Sequence, residues 1–345
     1  MSGARSETLA RTKRPTAAGT RRGPSLPWTR ALCRRLLWIT AEDAGLAGRT
    51  LFAPAAEKRD LLDAAPKYFV TGYQGGLSAP DLDSLMVCID RVAEEHRGYA
   101  VEGAAMAVAV SDALRIFRPA WLPRFLAGPA RDQVFIAHVG IGWSFARVPW
   151  ARRRLWRHLH PLYRWLAYDG WGFHHGFFTR DLYRAPLTRP GPLTGYCRRA
   201  FDQGLGRALW FIGGGDPRTS GEVIRRQAPR RRGDLWSGLG LAAAYTGSAS
   251  ERDFADLMAL AGRHRPDLAQ GVAFAAEARH RAGNTTAKTD DACRIVWGMP
   301  QGDVARVTDE TVAVDGIDDS GAQYEAWRTR IRGAYRKIQG LDHGA

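Results

Sequence analysis

Apolar and small residues in this chain come in blocks with helical spacing, not in the strict alternation of a half-buried strand. The clearest block is Asp234-Leu235-Trp236-Ser237-Gly238-Leu239-Gly240-Leu241-Ala242-Ala243-Ala244-Tyr245. Versions of it start at Glu102-Gly103, Val139-Gly140, Asp169-Gly170, Gln203-Gly204 and Gln270-Gly271, so a key glycine returns every 30–37 residues. A near-constant period of this size marks stacked helical units. Two positions after the key glycine the residue is always small: Ala105, Gly142, Gly172, Gly206, Gly240 or Ala273. Four positions after it come Ala107, Ser144, Ala208, Ala242 and Ala275, with His174 as the exception.

Each block is expected to be a helix. Asp234 and Asp267, four residues before their glycines, sit where an N-cap belongs, and Ser248 with Glu251 has capping-box spacing. Breakers follow at Gly213-Gly214-Gly215-Asp216-Pro217, Gly247 and Gly283-Asn284, and a second helix usually comes next. The pattern therefore predicts an all-α fold of helical-hairpin repeats, either an α-solenoid or a helical ring closed on itself. A C-terminal helix over Gln323–Ile338, with Tyr324, Trp327, Ile331 and Tyr335 on one side, would cap the stack.

The flanks divide as follows. Residues 1–27 are rich in Arg, Ser, Thr, Gly and Pro without apolar periodicity, and read as a disordered basic tail. Residues 28–96 form an N-terminal helical region: an amphipathic helix from Trp28 to Thr40, a short helix from Lys58 to Ala65, a glycine-broken aromatic segment over 66–76, and a helix from Leu82 to Glu95 capped by Asp81. The repeat domain spans 97–300, with one unit in which Pro186, Pro190 and Pro192 replace a second helix by a long loop. Residues 301–345 are an acidic loop and the capping helix.

With 345 residues, 45% of them hydrophobic, the chain can bury a full core. Its net charge of +15 invites anionic partners, but arginine clusters such as Arg152-Arg153-Arg154 and Arg230-Arg231-Arg232 are expected as solvated surface, and nucleic acid is not the expected partner. Cys33, Cys88, Cys197 and Cys293 lie far apart with no CxxC pair, which fits reduced thiols, not a zinc site or a disulfide frame. The longest uncharged apolar run, Val134–Ala146, is shorter than the ~20 residues of a membrane span, and no secretory h-region follows the basic start. A cytoplasmic protein without a membrane span is expected.

Gly238-x-Gly240-x-x-Ala243 loosely matches a dinucleotide fingerprint, but a helical stretch stands where that motif needs a strand. No Walker loop is present, nor a DDxxD or DxDD motif for carbocation chemistry, and no metal or cofactor is expected. The glycines still require a cause. Four helices carry two each, a cost of about 8 kcal/mol relative to alanine, comparable to the net stability of a domain. Close helix packing or a groove against bare backbone would offset it. Residues just before the key glycines, Glu102, Asp169, Gln203 and Gln270, would form a polar ladder on one side of such a wall. The densest chemical cluster is Tyr168-Asp169-Gly170-Trp171-Gly172-Phe173-His174-His175, where Asp169 could orient a histidine for proton transfer.

Glu102-Gly103-Ala104-Ala105-Met106-Ala107, His138-Val139-Gly140-Ile141-Gly142-Trp143, Asp169-Gly170-x-Gly172-Phe173-His174-x-Gly176, Phe201-Asp202-Gln203-Gly204-Leu205-Gly206-Arg207-x-Leu209-Trp210-Phe211, Asp234–Gly240 and Tyr324-x-x-Trp327-Arg328 resemble the UnbL-type proteins, a family of unknown function encoded in bacterial enediyne polyketide gene clusters. The resemblance runs from about Tyr68 to Arg336 and implies a role in making or maturing a polyene product; it supplies no reaction. Joined to the repeat pattern, it yields one expectation: a protein that binds or matures a hydrophobic polyene intermediate. Asp169 and His174 would be the proton-transfer groups if it is an enzyme. Glu102, His138, Trp143, Trp171, Phe173, Asp202, Gln203, Arg207, Trp210, Trp236 and Gln270 would contact the ligand. The alternative is a non-catalytic α-repeat scaffold that organises pathway proteins.

Overall fold

The computed structural model describes residues 37–47, 49–50, 54–114, 120–179, 186–191, 193–312 and 320–341. The basic tail, most of the helix expected from Trp28 and the acidic stretch at 313–319 lie outside them. The described residues form helices and turns with no strand, so the fold is all-α. In chain order the helices are α1 (Ala41–Ala44), α2 (Ala56–Ser78), α3 (Leu82–Asp90), α4 (Arg97–Leu114), α5 (Leu122–Ala127), α6 (Val134–Arg147), α7 (Arg152–Trp156), α8 (Trp165–Phe178), α9 (Cys197–Ile212), α10 (Pro217–Arg225), α11 (Pro229–Thr246), α12 (Glu251–Ala261), α13 (Arg265–Arg281), α14 (Ala287–Trp297), α15 (Gln301–Glu310) and α16 (Ala322–Ile338).

The helices with key glycines pack in sequence order as a row: α2 on α4, then α6, α8, α9, α11 and α13. The glycines make the row possible. A Cβ on Gly140 would lie 2.0 Å from the Glu102 carbonyl oxygen, one on Gly170 1.9 Å from that of Val139, one on Gly204 1.9 Å from that of Asp169, one on Gly238 1.8 Å from that of Gln203, and one on Gly271 1.9 Å from that of Ser237. In each case the carbonyl belongs to the residue just before the key glycine of the previous helix. The second glycine does the same toward the next helix, with Gly142 against Ala167, Gly172 against Phe201 and Gly206 against Leu235. Backbones at this spacing exclude any side chain and admit Cα–H···O contacts across each seam. Close packing is therefore what offsets the helix-propensity cost of the glycines.

The same interlock begins one helix earlier than the glycine repeat at 103. Gly72 of α2 meets Ala100, and Gly103 meets Phe69. Instead of a short helix followed by a broken aromatic segment, residues 56–78 form one helix that runs through Pro66. Outside the row, α10, α12 and α14 pack on one another as a second layer.

Several local expectations are corrected. Asp234 and Asp267 are not N-caps: α11 starts at Pro229, five residues before Asp234, and α13 starts at Arg265, which leaves Asp267 inside its first turn. The capping box of α12 is Ser250 with Asp253, while Ser248 instead accepts from Trp210 Nε1 at 2.8 Å. Asp81 does cap α3, accepting from the Ser84 amide at 2.8 Å. The capping helix α16 covers nearly the residues expected of it.

Candidate functional site

With both helix edges committed to seams, each row helix presents one further face, at positions −4, −1, +3 and +7 from its key glycine, a spacing that keeps side chains on one stripe. Position −1 holds Glu102, Val139, Asp169, Gln203, Ser237 and Gln270. These side chains form the polar ladder, and it is continuous over four helices. Gln203 Nε2 donates to Asp169 Oδ2 at 2.8 Å, and Ser237 Oγ lies 3.4 Å from Gln203 Oε1 and 2.8 Å from Gln270 Oε1. Arg328 of α16 then donates from Nε to Gln270 Oε1 at 2.9 Å.

Val139 interrupts the ladder, and Arg207 bridges the gap. Its guanidinium donates to Asp169 Oδ1 at 2.6 Å and lies 3.8 Å from Glu102 Oε1, while stacking over Phe173 at 4.9 Å. Glu102 also accepts from Trp143 Nε1 at 3.0 Å. Glu102, Asp169 and Arg207 are all buried. Five residues predicted from sequence, Glu102, Trp143, Asp169, Gln203 and Arg207, are thus brought into one cluster, with Phe173 against it.

Two small cavities adjoin the cluster. One, of about 40 Å³, is lined by residues of α4, α6, α8, α9, α11, α13 and α16, among them Tyr99, Leu166, Leu241, Phe274 and Trp327. The other, of about 30 Å³, lies among Phe69, Glu102, Trp143, Phe173 and Phe177. Tyr99, Arg207 and Phe211 line both. Tyr99 carries no motif signal of its own, and Phe211 ended the Phe201–Phe211 motif without a role; the stripe register, at −4 in α4 and +7 in α9, is what would have found them. The other missed residue, Arg328, stood in the Tyr324-x-x-Trp327-Arg328 motif without a role.

The pairing expected of Asp169 and His174 is not formed. Five residues apart on one helix, they point about 140° from each other. His174 packs edge-on against Trp143 and beside Phe178. Burial, with Arg147 nearby, pushes its pKa down to about 3, so it stands neutral at pH 7 with no carboxylate to orient it. His138 is likewise held neutral, at about 4, by burial; its Nδ1 meets the Val134 carbonyl and its Nε2 accepts from the His160 amide.

The remaining predicted residues lie apart from the cluster. Asp202 is buried between Arg231, which reaches it at 2.7 and 2.9 Å, and Arg189. Trp171 lies under Arg152, 3.8 Å from the guanidinium, and Trp210 is wholly buried. Gln270 belongs to the ladder's far end. Trp236, 3% exposed, packs instead beneath a groove of about 670 Å³ between α10, α11 and α12. No group of three or more His, Cys, Asp or Glu among the described residues could hold a metal ion, and no described helix is long and apolar enough to cross a membrane.

This arrangement spans the segment matched by one family model, described as a protein of unknown function, DUF1702, over residues 28–335. The chain belongs to the DUF1702 family. No curated protein and no solved structure matches it. The DUF1702 match covers the whole row of helices and all but the last turn of α16.

The DUF1702 cluster has a pH signature. Burial raises the Glu102 carboxyl to about 7, against the opposing pull of Arg207 and the Trp143 hydrogen bond. The folded chain thus holds a proton that the unfolded chain releases above its ordinary pKa of 4.5. Glu102 contributes stability fully below pH 4.5, and the contribution is lost as pH rises through about 7. His138 and His174, both depressed, act oppositely, so the comparison must be between variants. Glu102→Gln, which mimics the protonated acid, is expected to match the wild type near pH 5 and to exceed it at pH 8 by on the order of 3 kcal/mol. Urea midpoints at the two pH values check this, and a difference that does not change with pH counts against it.

Proposed function

We propose that this DUF1702 protein is a non-catalytic helical-repeat scaffold, a stiff curled wall whose outer groove docks an acidic segment of another protein. The observation that supports this reading is where the space lies. Ligand pockets enclose about 300–1,000 Å³, whereas the two interior cavities hold about 40 and 30 Å³, and the groove on the outer layer holds about 670 Å³. Four arginines line that groove, Arg218, Arg225, Arg232 and Arg263, with His264, against Glu222 and Asp256. Trp236 lies at its base and Leu260, 45% exposed, beside it. A basic rim around an apolar floor suits an acidic helix with one apolar stripe.

The resemblance to UnbL-type proteins extends the proposal to its finer form: the docked proteins belong to an enediyne polyketide pathway. Tagged wild-type chain in a producing strain is expected to retain one or more pathway proteins through a moderate-salt wash, and the double variant Arg232→Glu/Arg263→Glu to lose them while keeping its melting temperature. Equal retention by both forms counts against the groove, and recovery of no pathway protein with either form counts against the scaffold. The earlier expectation, a bound polyene, would be supported by mass-spectrometric recovery of a conjugated small molecule from the purified wild-type chain.

A further inference from the structure

The arginine run 152–154 does not form one solvated patch. Arg152 is committed inward, donating from Nε to the Phe145 carbonyl at 2.8 Å while its guanidinium lies over Trp171. Arg154 donates from Nη2 to the Asp112 carbonyl at 2.8 Å, and the Asp112 carboxylate accepts from the Leu122 amide at 2.7 Å. These bonds pin α7 to the end of α4 and the start of α5. Arg153 is left facing solvent.

A single turn of 3-10 helix, Pro149–Ala151, leads into α7, and helical spacing sorts the stretch onto two faces. Val148, Ala151, Leu155 and Leu159 are buried. Trp150, Arg153 and Arg157, at i, i+3 and i+7, are exposed on the other side. Trp150 is 69% exposed, the most of any large apolar side chain among the described residues. At the pinned corner, Leu114 is 43% exposed, two residues beyond Asp112.

A single exposed tryptophan needs no explanation by itself. Its setting does. From Gln133 to Tyr168 the chain has six arginines and no Asp or Glu, whereas the outer groove mixes its arginines with Glu222 and Asp256. A face that shows an indole beside guanidiniums, with no carboxylate in its own stretch of chain, suits a surface that is anionic outside and apolar just beneath. Indoles settle at the headgroup level of a bilayer, and guanidiniums fork onto phosphates. Anionic lipid adds attraction for each cation near the surface. A nucleic-acid strand fits less well, because it is held in a basic groove by several stacking aromatics. Trp150 lines none of the cavities described above.

We infer that the face formed by Trp150, Arg153 and Arg157 docks the protein on an anionic membrane surface, with the indole at the headgroup level and the two guanidiniums on lipid phosphates. The protein lies on the bilayer and does not span it. One indole and two cations make such an attachment reversible and sensitive to salt. The inference does not depend on the outer groove, and its failure would leave the scaffold proposal untouched.

The test is co-sedimentation of the full chain with phosphatidylcholine vesicles, with and without about one-third phosphatidylserine. The wild type is expected to bind the anionic vesicles about tenfold or more tightly than the neutral ones. Trp150→Ala and Arg153→Glu/Arg157→Glu are each expected to weaken that binding by about tenfold. Their melting temperatures should not change, because all three side chains are exposed. Arg232→Glu/Arg263→Glu makes the same change in net charge at the outer groove and should bind vesicles like the wild type, which separates this face from general attraction and from the scaffold proposal. The arginine-rich start of the chain can also attract anionic lipid, so the docking face is located separately. Lipid brominated on its acyl chains should quench the fluorescence of the wild type more than that of Trp150→Phe at equal binding. A wild type that does not bind anionic vesicles, or face variants that bind them as well as the wild type, overturns the inference. So does binding of a single-stranded oligonucleotide that the same variants lose, without binding to vesicles.

Discussion

Gly204→Ala is expected to unfold most of the protein or to cost more than about 4 kcal/mol, far outside the range of an ordinary surface change. The added methyl would sit 1.9 Å from the Asp169 carbonyl oxygen and 2.6 Å from the Phe173 amide nitrogen, and neither can rotate away because both are helix backbone. Relief would require α8 and α9 to separate, which pulls Gln203 from Asp169 and Arg207 from both carboxyls. Gly333→Ala is the control. Gly333 is also in a helix, yet nothing lies within 4 Å of its added Cβ, so alanine there should stabilise by roughly 1 kcal/mol through helix propensity. Denaturant midpoints of the two variants should therefore move in opposite directions. A Gly204→Ala protein as stable as the wild type would show that the seams are looser than described.

Arg328→Met is expected to cost about 3–5 kcal/mol, the usual consequence of breaking a buried ion pair from one side. Arg328 is wholly buried and donates to Gln270 Oε1 at 2.9 Å, Asp234 Oδ1 at 2.8 Å and the Tyr196 hydroxyl at 3.0 Å. Arg199 also holds Asp234, with two contacts of 3.0 Å, so that carboxylate keeps one partner, whereas Gln270 loses its link to α16. Arg332 and Glu325 extend the same latch, meeting each other at 2.6 Å. The loss should therefore be local first. Limited trypsin digestion of Arg328→Met should cut within 322–338 before the rest of the chain, and cutting that begins elsewhere would place the weak point outside the latch. Arg225→Ala, which breaks only an exposed pair with Glu222, should leave the midpoint and the digestion pattern unchanged.

These two results rest on different kinds of legibility. The glycine seams were visible in sequence because backbone contact at each seam admits no large side chain, so the requirement repeats at the same two positions, both glycine in α6, α8, α9 and α11 and glycine then alanine in α4 and α13. The polar ladder was visible for the same reason: it is a fixed offset of one residue from the key glycine. What a local pattern misassigned were Asp234 and Asp267. Their offset of four from the glycine suggested caps, but in the fold that offset lies on the inner stripe, where Asp234 meets Arg328 and Asp267 lies 3.6 Å from Arg332. The acidic residues serve a helix some 65–95 positions away, and no short-range rule carries that information.

Chemistry followed the same division. Asp169 and His174 are close in sequence and part company on the helix, while Glu102 and Arg207, more than a hundred residues apart, share one buried cluster. The sequence by itself determined the all-α class, the row of helices, the seam positions and the ladder's register, because each is set by helical periodicity and by the volume of a single residue. Only the tertiary structure decided which side chains meet across the interior, how little space remains there, and that Trp236 packs beneath an outer groove. Those outcomes depend on how the row curves and where α16 seats, and curvature is fixed by the sum of many contacts that no single repeat contains.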